Sequence, residues 1–318
     1  SRQTSLKNIL EELPDVDGFP ECDSFVFGKG RIIYGTDYSR LLQAGGAQQE
    51  ELVTRHGVHL LRRKHSAGHH YFVSMLQNRY LDGWVRLPVE AESAVIYDPL
   101  TGASGKAHVR KQDDKISLYL QLEPGQSLII KTFTSKKVKL PDYHFYRKGT
   151  PKVISGDWSF RFTDGMPTME GEYVMRDNPF SWTELAHDSA VVYAGTGRYT
   201  VDFEILETPD NWLLDLGHLC ESARVYINGQ DAGIVWSLPY TLEIGQFIRQ
   251  GSNTLEIDVT NIPANRIRDF DRRGVNWRIF KDINFISASY KSSRFDSWEV
   301  SPSGLTSPVS IIPLTKIL

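Results

Sequence analysis

The segment from 265 to 282, NRIRDFDRRGVNWRIFKD, has the residue types best suited to hold a polar ligand. It combines six basic residues with aromatic side chains directly after a strand-like run. Arginine and amide groups hydrogen-bond hydroxyls, and aromatic rings offer flat apolar faces for a sugar ring. We therefore predict a carbohydrate contact in which Asn265 and Arg266 hydrogen-bond hydroxyls and Trp277 stacks on a sugar face, with Arg278 beside it.

Two other interpretations of this segment stay open. Arginine and tryptophan are enriched at protein interfaces, so an interface or a solvated loop is the more common explanation of such a segment. Arginines interleaved with aromatic rings can also stack on bases. The acids Asp269, Asp271 and Asp282 interrupt the positive charge, and they argue against nucleic acid as the ligand.

A histidine cluster is the only metal-like pattern in the sequence. His65 and His69 have the i, i+4 spacing that can share a metal on a helix. Gly68 lies between them, however, and the flanking runs have the alternation of two strands, which predicts a hairpin with the histidines on both faces. We therefore predict no metal site among the five clustered histidines, which are His56, His59, His65, His69 and His70.

No catalytic signature is present. The sequence has no Gly-x-Ser-x-Gly elbow, no phosphate-binding glycine loop and no Cys-x-x-Cys pair. Glycoside hydrolysis needs two carboxyl groups that face each other, and the available acids fall in turn-like stretches typical of solvated groups. These acids are Asp113, Asp114, Asp164, Glu170, Glu172, Asp269 and Asp271. We predict no catalytic residue and no cofactor in this chain.

Composition narrows the classes of partner. Lys and Arg total 36 and Asp and Glu total 39, so the net charge of -3 gives no overall attraction to nucleic acid or an anionic membrane. No run approaches the ~18 apolar residues of a membrane span. Cys22 and Cys220 lie far apart in sequence, so we do not expect a disulfide between them. A neutral sugar or another protein surface is a better match to this net charge than nucleic acid or an anionic membrane.

The first half of the chain changes from helical to strand periodicity. One amphipathic helix is predicted from Ser5 to Leu13, and a second after Asp37 with Leu41 and Leu42 buried. Strand-length apolar or alternating runs follow at 70–76, 93–98, 115–122 and 127–133. The basic, proline-containing stretch 136–152 lacks a clean period, so we place the boundary between two domains, 1–150 and 151–318, inside it.

The second half alternates more regularly. One face of each of three runs is apolar, and Asn228-Gly229 predicts a tight hairpin because both residues tolerate positive φ. We predict a mainly β protein: an antiparallel β-sandwich-like domain with a short N-terminal helix, then a jelly-roll β-sandwich. Core packing is predicted for five tryptophans, Trp158, Trp182, Trp212, Trp236 and Trp298.

The order of these segments resembles a known family. In the second half it is carried by YAGTGRYTVDFEI from Tyr193, WLLDLGHLCESARVYINGQDAGIVWSLPY from Trp212 and PSGLTSPVSI from Pro302. In the first half it is carried by YFVSMLQ from Tyr71 and LYLQLEPGQSLII from Leu118. Together these segments resemble the C-terminal accessory domains of the family 106 glycoside hydrolases, which include a galactose-binding-like jelly roll and whose known activity is α-L-rhamnosidase.

The resemblance implies a function that the residues alone do not. In that family the catalytic carboxylates and the metal lie on a large barrel domain upstream of such segments, so no catalytic residue is transferred to this chain. We expect a non-catalytic C-terminal part that supports an upstream catalytic domain of the same polypeptide and contacts polysaccharide. The family further implies a secreted or periplasmic location. The alternatives are a stand-alone carbohydrate-binding module and a pair of assembly domains without a ligand.

Overall fold

The computed structural model describes residues 20–112, 115–278 and 293–318. It is mostly β, with 45% strand and 10% helix, and its strands pair antiparallel in several sheets, which confirms the predicted fold class. The helix predicted from Ser5 to Leu13 lies outside the described residues. Both cysteines, Cys22 and Cys220, are free thiols.

The described residues before position 134 form ten strands and two helices. In chain order they are β1 Asp23–Phe27, β2 Gly30–Tyr34, α1 Tyr38–Ala44, α2 Glu51–Thr54, β3 His59–His65, β4 Gly68–Ser74, β5 Leu81–Leu87, β6 Ser93–Tyr97, β7 Ser104–Lys106, β8 Val109–Gln112, β9 Lys115–Leu122 and β10 Ser127–Phe133.

Within 135–278 and 293–318 the chain forms thirteen strands, a 3-10 turn and two helices. They are β11 Tyr146–Lys148, β12 Lys152–Val153, β13 Trp158–Met166, β14 Tyr173–Met175, the 3-10 turn Trp182–Glu184, α3 Asp188–Val191, β15 Ala194–Ile205, β16 Asn211–Asp215, β17 Leu219–Cys220, β18 Ser222–Ile227, β19 Gln230–Val235, β20 Thr241–Glu243, β21 Gly251–Thr260, α4 Ala264–Arg272, β22 Gly304–Leu305 and β23 Ser310–Lys316.

Two sheets enclose the first hydrophobic core. A five-stranded sheet has the order β3-β4-β10-β6-β7, and a three-stranded sheet has the order β5-β9-β8. Strand β9 shows why they form, because every second residue of KISLYLQL is buried and period-two apolar residues face one side of a sheet. Leu118 and Ile130, from opposite sheets, belong to the same buried cluster. The two sheets therefore form the predicted antiparallel sandwich.

A second core lies between a six-stranded and a five-stranded sheet. The six-stranded sheet has the order β14-β13-β15-β21-β18-β19, and β11, β23, β16 and β20 form the path of the other. The predicted alternation is confirmed in β15, β18 and β21, whose inward residues are buried. Asn228 and Gly229 adopt φ of 53° and 77°, as the predicted hairpin requires.

The tryptophans divide between core and surface. Trp158, Trp182 and Trp212 are 0%, 0% and 4% exposed, which confirms core packing for these three. Burial of each such ring contributes about 2–3 kcal/mol to folding. Trp236 and Trp298 are 61% and 44% exposed, so the core prediction is wrong for them. Both lie beyond the regular strands, where alternation no longer determines which side chains a second sheet covers.

The helix predicted after Asp37 is present, but the prediction that Leu41 and Leu42 are buried is wrong. Asp37 caps α1 through Oδ1, which accepts from the amides of Ser39 and Arg40 at 2.9 and 3.1 Å. Leu42 is 52% exposed, Leu41 is only half-buried, and no residue of α1 is buried. The reason is that α1 packs on the small two-stranded sheet β1-β2 and not on either core.

The stretch 136–152 carries regular structure despite its irregular sequence. Strands β11 and β12 within and just beyond it both pair with the distant strand β23. Phe145 packs in the first core, and Ile317 and Leu318, directly after β23, pack against that same core. This part of the chain therefore joins the sheet of the second core to the side chains of the first.

Candidate functional site

The predicted sugar-contact segment forms a helix and a returning loop. Helix α4 follows the long strand β21 by four residues and is supported by an i, i+4 pair in which Arg273 contacts both carboxylate oxygens of Asp269, the shortest contact being 2.7 Å. The described residues from 293 to 301 run back along this helix, because Arg268 and Arg272 donate to the carbonyls of Trp298 and Asp296.

Asn265 fastens this loop to the helix. Its side chain is 3% exposed. The amide Nδ2 donates to the Ser301 carbonyl at 2.8 Å, and Oδ1 accepts from the Ser301 amide at 2.9 Å. A buried amide engaged in both directions holds two backbone segments together. In this structure Asn265 therefore positions the loop and does not face solvent.

Asp271 is the centre of the site. The residue is 7% exposed. Its Oδ1 accepts from the Trp277 indole Nε1 at 2.7 Å, and Oδ2 accepts from the Phe295 amide at 2.7 Å and lies 3.4 Å from Nη2 of Arg278. The pKa of this carboxyl lies below its ordinary value because Trp277 and then Phe295 donate hydrogen bonds to it, and Arg278 adds positive charge.

Three aromatic rings and one guanidinium form the surface above Asp271. The Trp277 and Phe295 ring centroids lie 6.3 Å apart, and those of Phe295 and Trp298 lie 4.3 Å apart with 36° between the planes. Arg278 is placed over Trp277 at 4.6 Å and over Phe295 at 5.5 Å. We call Trp277, Arg278, Phe295 and Trp298 the aromatic ledge. Its half-exposed rings are the groups of this site that a sugar face can contact.

The structure thus separates the four predicted contact residues. Trp277 and Arg278 meet in the aromatic ledge, whereas Asn265 anchors the loop. Arg266 is half-buried, with Nη1 3.8 Å from Asp269 and its guanidinium 4.5 Å from the Phe270 ring. Sequence reasoning missed Phe295 and Trp298, because the loop that brings them back lies about twenty residues further along the chain.

Removal of the Asp271 carboxylate is expected to release the loop. In Asp271→Ala the Phe295 amide loses its acceptor, and we expect its native-state hydrogen exchange to accelerate about tenfold. Because the folded-state pKa is lowered, the carboxylate contributes stability above its unfolded value near 3.9, and this contribution is lost as pH falls through the folded value. The protection of the Phe295 amide, as the ratio of intrinsic to observed exchange rate, should therefore also fall in that acid range in the unmodified chain.

The matched control for this change is Asp269→Ala. Asp269 binds Arg273 and Arg266 on the same helix but makes no contact with the loop amides. Equal acceleration at Phe295 in both variants would contradict the assignment of Asp271 as the anchor of the loop.

A cleft lies where the two cores meet. Its lining includes Asp98, Tyr143, His144 and Glu243. Burial raises the pKa of Glu243, whose Oε2 accepts from Nδ2 of Asn211 at 2.7 Å. The cleft has a volume of about 120 Å³, below the ~300 Å³ at which ligand pockets begin. It therefore holds a few water molecules more readily than a sugar chain.

The clustered histidines lie on and beside the predicted hairpin. Strands β3 and β4 pair antiparallel from His59↔Ser74 to His65↔Gly68, which confirms the hairpin. His65 and His70 approach with ring centroids 4.5 Å apart, whereas His69 lies on the other face of β4, near Tyr71. Within residues 20–112, 115–278 and 293–318, no three His, Cys, Asp or Glu side chains are grouped so as to hold a metal ion.

Comparisons with known proteins place the chain among glycoside hydrolase relatives. No protein-family model matches it. It is 28% identical over 186 residues to a protein of Formosa agariphila named "Putative beta-glucuronidase", which covers 52% of this chain and 16% of that protein. A rhamnosidase from Novosphingobium sp. PP1Y matches in fold with a TM-score of 0.67 and 23% identity over 91% of this chain and 27% of its own.

The chain is therefore similar to parts of proteins that are named as glycoside hydrolases. A β-D-glucuronidase of Dictyoglomus thermophilum also matches over 52% of this chain and 28% of its own, with 23% identity and a TM-score of 0.35. In each of these comparisons the chain spans less than a third of the other protein. The helices in the described ranges are all too short or too polar to cross a membrane.

Proposed function

We propose that this chain is the non-catalytic C-terminal part of a glycoside hydrolase resembling α-L-rhamnosidases. The observation that carries the proposal is the fold match to a rhamnosidase, which covers 91% of this chain but only 27% of that enzyme. The two hydrophobic cores support two domains, 1–150 and 151–318, that buttress a catalytic domain upstream in the same polypeptide. The substrate is a polysaccharide, and the location is secreted or periplasmic.

The size of the native gene product tests this proposal. An antibody raised against the purified chain is used to probe an immunoblot of the source cells and of their culture medium. We expect a species far larger than the 36.2 kDa of this chain, because an upstream catalytic domain adds its own mass. Antibody pre-absorbed with the purified chain is the control. A single species at the mass of this chain would contradict the proposal and favour a stand-alone carbohydrate-binding module.

The aromatic ledge supports a direct carbohydrate contact. Trp298 is 44% exposed and packs at a tilt of 36° against Phe295 beside Trp277, and Arg278 supplies donors at the edge of the rings. Rings that are half-exposed and mutually supported offer a rigid apolar face at little entropic cost. We assign to Trp277 and Trp298 the stacking of a sugar ring, to Arg278 a hydrogen bond to a hydroxyl, and to Asn265 and Arg266 the support of the helix.

Replacement of Trp298 by alanine is expected to weaken carbohydrate retention. Loss of the stacked face should cost about 1–2 kcal/mol, which is about five- to thirtyfold in affinity. Affinity electrophoresis through gels that contain gum arabic, a rhamnose-containing polysaccharide, measures this change. Trp236→Ala is the matched control, because Trp236 is 61% exposed at the end of β19 and outside the ledge. Unchanged retention of the Trp298→Ala variant would remove the ledge as a sugar contact.

A further inference from the structure

The outer face of the five-stranded sheet carries two parallel rows of different chemistry. One row crosses β3, β4, β10 and β6 through Leu61, Phe72, Ile129 and Tyr97, which are directly paired from strand to strand. Leu61, Phe72 and Tyr97 are 69%, 46% and 37% exposed. Adjacent strands lie about 4.8 Å apart, so this apolar row is about 14 Å long.

The second row is cationic. It lies two residues, or about 7 Å, from the apolar row, and it crosses the same strands through Arg63, His70 and Lys131. On β6 the row is interrupted by Val95, which is 1% exposed and therefore covered, and its last position, on β7, is Lys106. Lys131 also lies 5.4 Å from the ring of Phe133, one row further along. We call these two rows together the basic sheet face.

Anions are missing from this face within the described residues. Of its strand positions that alternate outward on β3, β4, β10, β6 and β7, none is Asp or Glu. In the described part of the chain no carboxylate lies within ion-pair distance of Arg63 or Lys131, whereas Lys106 pairs with Asp142 at 3.0 Å. The face is therefore locally positive on a chain whose net charge is -3.

The electrostatics of His70 agree with this distribution. The pKa of His70 lies below its ordinary value because partial burial disfavours its charged form and because His65, Lys131 and Arg63 add like charge. His65 stands with its ring centroid 4.5 Å from that of His70. A cluster of like charges without a counter-ion gains more from an anionic ligand than an internally paired cluster does.

We propose that the basic sheet face binds an anionic polysaccharide. The apolar row contacts the flat faces of successive sugar rings, and Arg63 and Lys131 pair with carboxylate or sulfate groups along one edge of the polymer. This ligand deepens the proposed function by naming a class of saccharide. The chemistry favours a saccharide over an acidic protein surface because the apolar row is only about 14 Å long, too narrow for a standard protein interface of about 800 Å² per partner.

The test is affinity electrophoresis of the full 318-residue chain in gels that contain polygalacturonate, dextran sulfate or neutral dextran. We expect retention by a polyanion and none by dextran, and the first two gels distinguish carboxylate from sulfate recognition. The double variant Arg63→Gln/Lys131→Gln should lose about tenfold in affinity. Phe72→Ala should also lose retention although it keeps every charge.

The control for charge alone is Arg161→Gln/Arg176→Gln, which also removes two cations, both exposed, from the other half of the chain. Equal loss in both double variants, or no effect of Phe72→Ala, would show unspecific polyanion attraction and overturn the proposal. Stronger retention by a DNA duplex than by either polyanionic glycan would overturn it in favour of nucleic acid. Retention by neutral dextran equal to that by the polyanions would overturn it while it leaves the proposed function intact.

Discussion

Gly304→Ala is expected to lower the free energy of unfolding by about 2–5 kcal/mol. Gly304 begins strand β22 in the Ser-Gly-Leu motif and has φ of 91°, a conformation that a side chain rarely adopts. A Cβ there would collide with the hydroxyl of Tyr199 and with the Trp182 ring. The collision cannot relax easily, because Tyr199 is fully buried and its hydroxyl accepts from the Leu305 amide at 3.2 Å.

Urea unfolding followed by tryptophan fluorescence measures this loss, since the second core holds three buried tryptophans. The matched control is Gly171→Ala. Gly171 has φ of 97°, but an added Cβ meets nothing within 4 Å, so it carries the backbone strain without the collision. We expect it to cost about 1 kcal/mol. Equal urea midpoints for the two variants would show that the collision of the added Cβ with Tyr199 does not destabilise the fold.

Asn253→Asp is expected to destabilise the chain by about 3–5 kcal/mol at neutral pH. Asn253 is 0% exposed on β21. Its Nδ2 donates to the carbonyls of Arg249 and Gly251 at 2.7 and 2.9 Å, and its Oδ1 accepts from Nδ2 of Asn228 and the amide of Arg249 at 2.9 and 3.0 Å. An aspartate of the same shape replaces the two amide N–H donors by an acceptor oxygen, and within the described residues no Lys, Arg or His side chain bonds to Asn253 to compensate the new charge.

The loss of unfolding free energy in Asn253→Asp should grow as pH rises. Burial raises the folded-state pKa of the introduced carboxyl above its unfolded value, so the variant is closest to the unmodified chain in acid and loses stability as pH rises. Urea midpoints measured between pH 4 and pH 7 should diverge steadily. Asn78→Asp, at an exposed position, is the control and should show no divergence. A pH-independent deficit at Asn253 would contradict the burial of a charge as its cause.

Strand periodicity could be predicted from the sequence because it is a local property. In β15 the residues Tyr199, Val201, Phe203 and Ile205 alternate with polar neighbours, and all four are buried as predicted. The period of two decides which residues share a face. The same logic fails for Leu42 of α1, since periodicity identifies an apolar face but not whether another element covers it.

Only the part of the candidate site that is formed by residues adjacent in sequence could be predicted. Trp277 and Arg278 stand beside each other in sequence, and their association needs no distant partner. The carboxylate of Asp271 appeared as one of three acids that interrupt a basic run, yet it binds Phe295, which follows it by 24 positions. Such a contact depends on how the chain returns to α4. No composition or spacing in a single sequence specifies that return.

The pairing of β23 with β11 and β12 has a consequence for biosynthesis. Lys148 pairs with Leu314, and Val153 pairs with Ser310, so the partners emerge from the ribosome at widely separated times. Pairing across such sequence distance is slow, because the loop-closure entropy precedes any stabilising contact. Until β23 has been synthesised, the edges of β11 and β12 remain unpaired, and unpaired strand edges are prone to aggregation. Lys148 and Lys152 place positive charge on those two strands, and charged residues on an unpaired edge oppose aggregation.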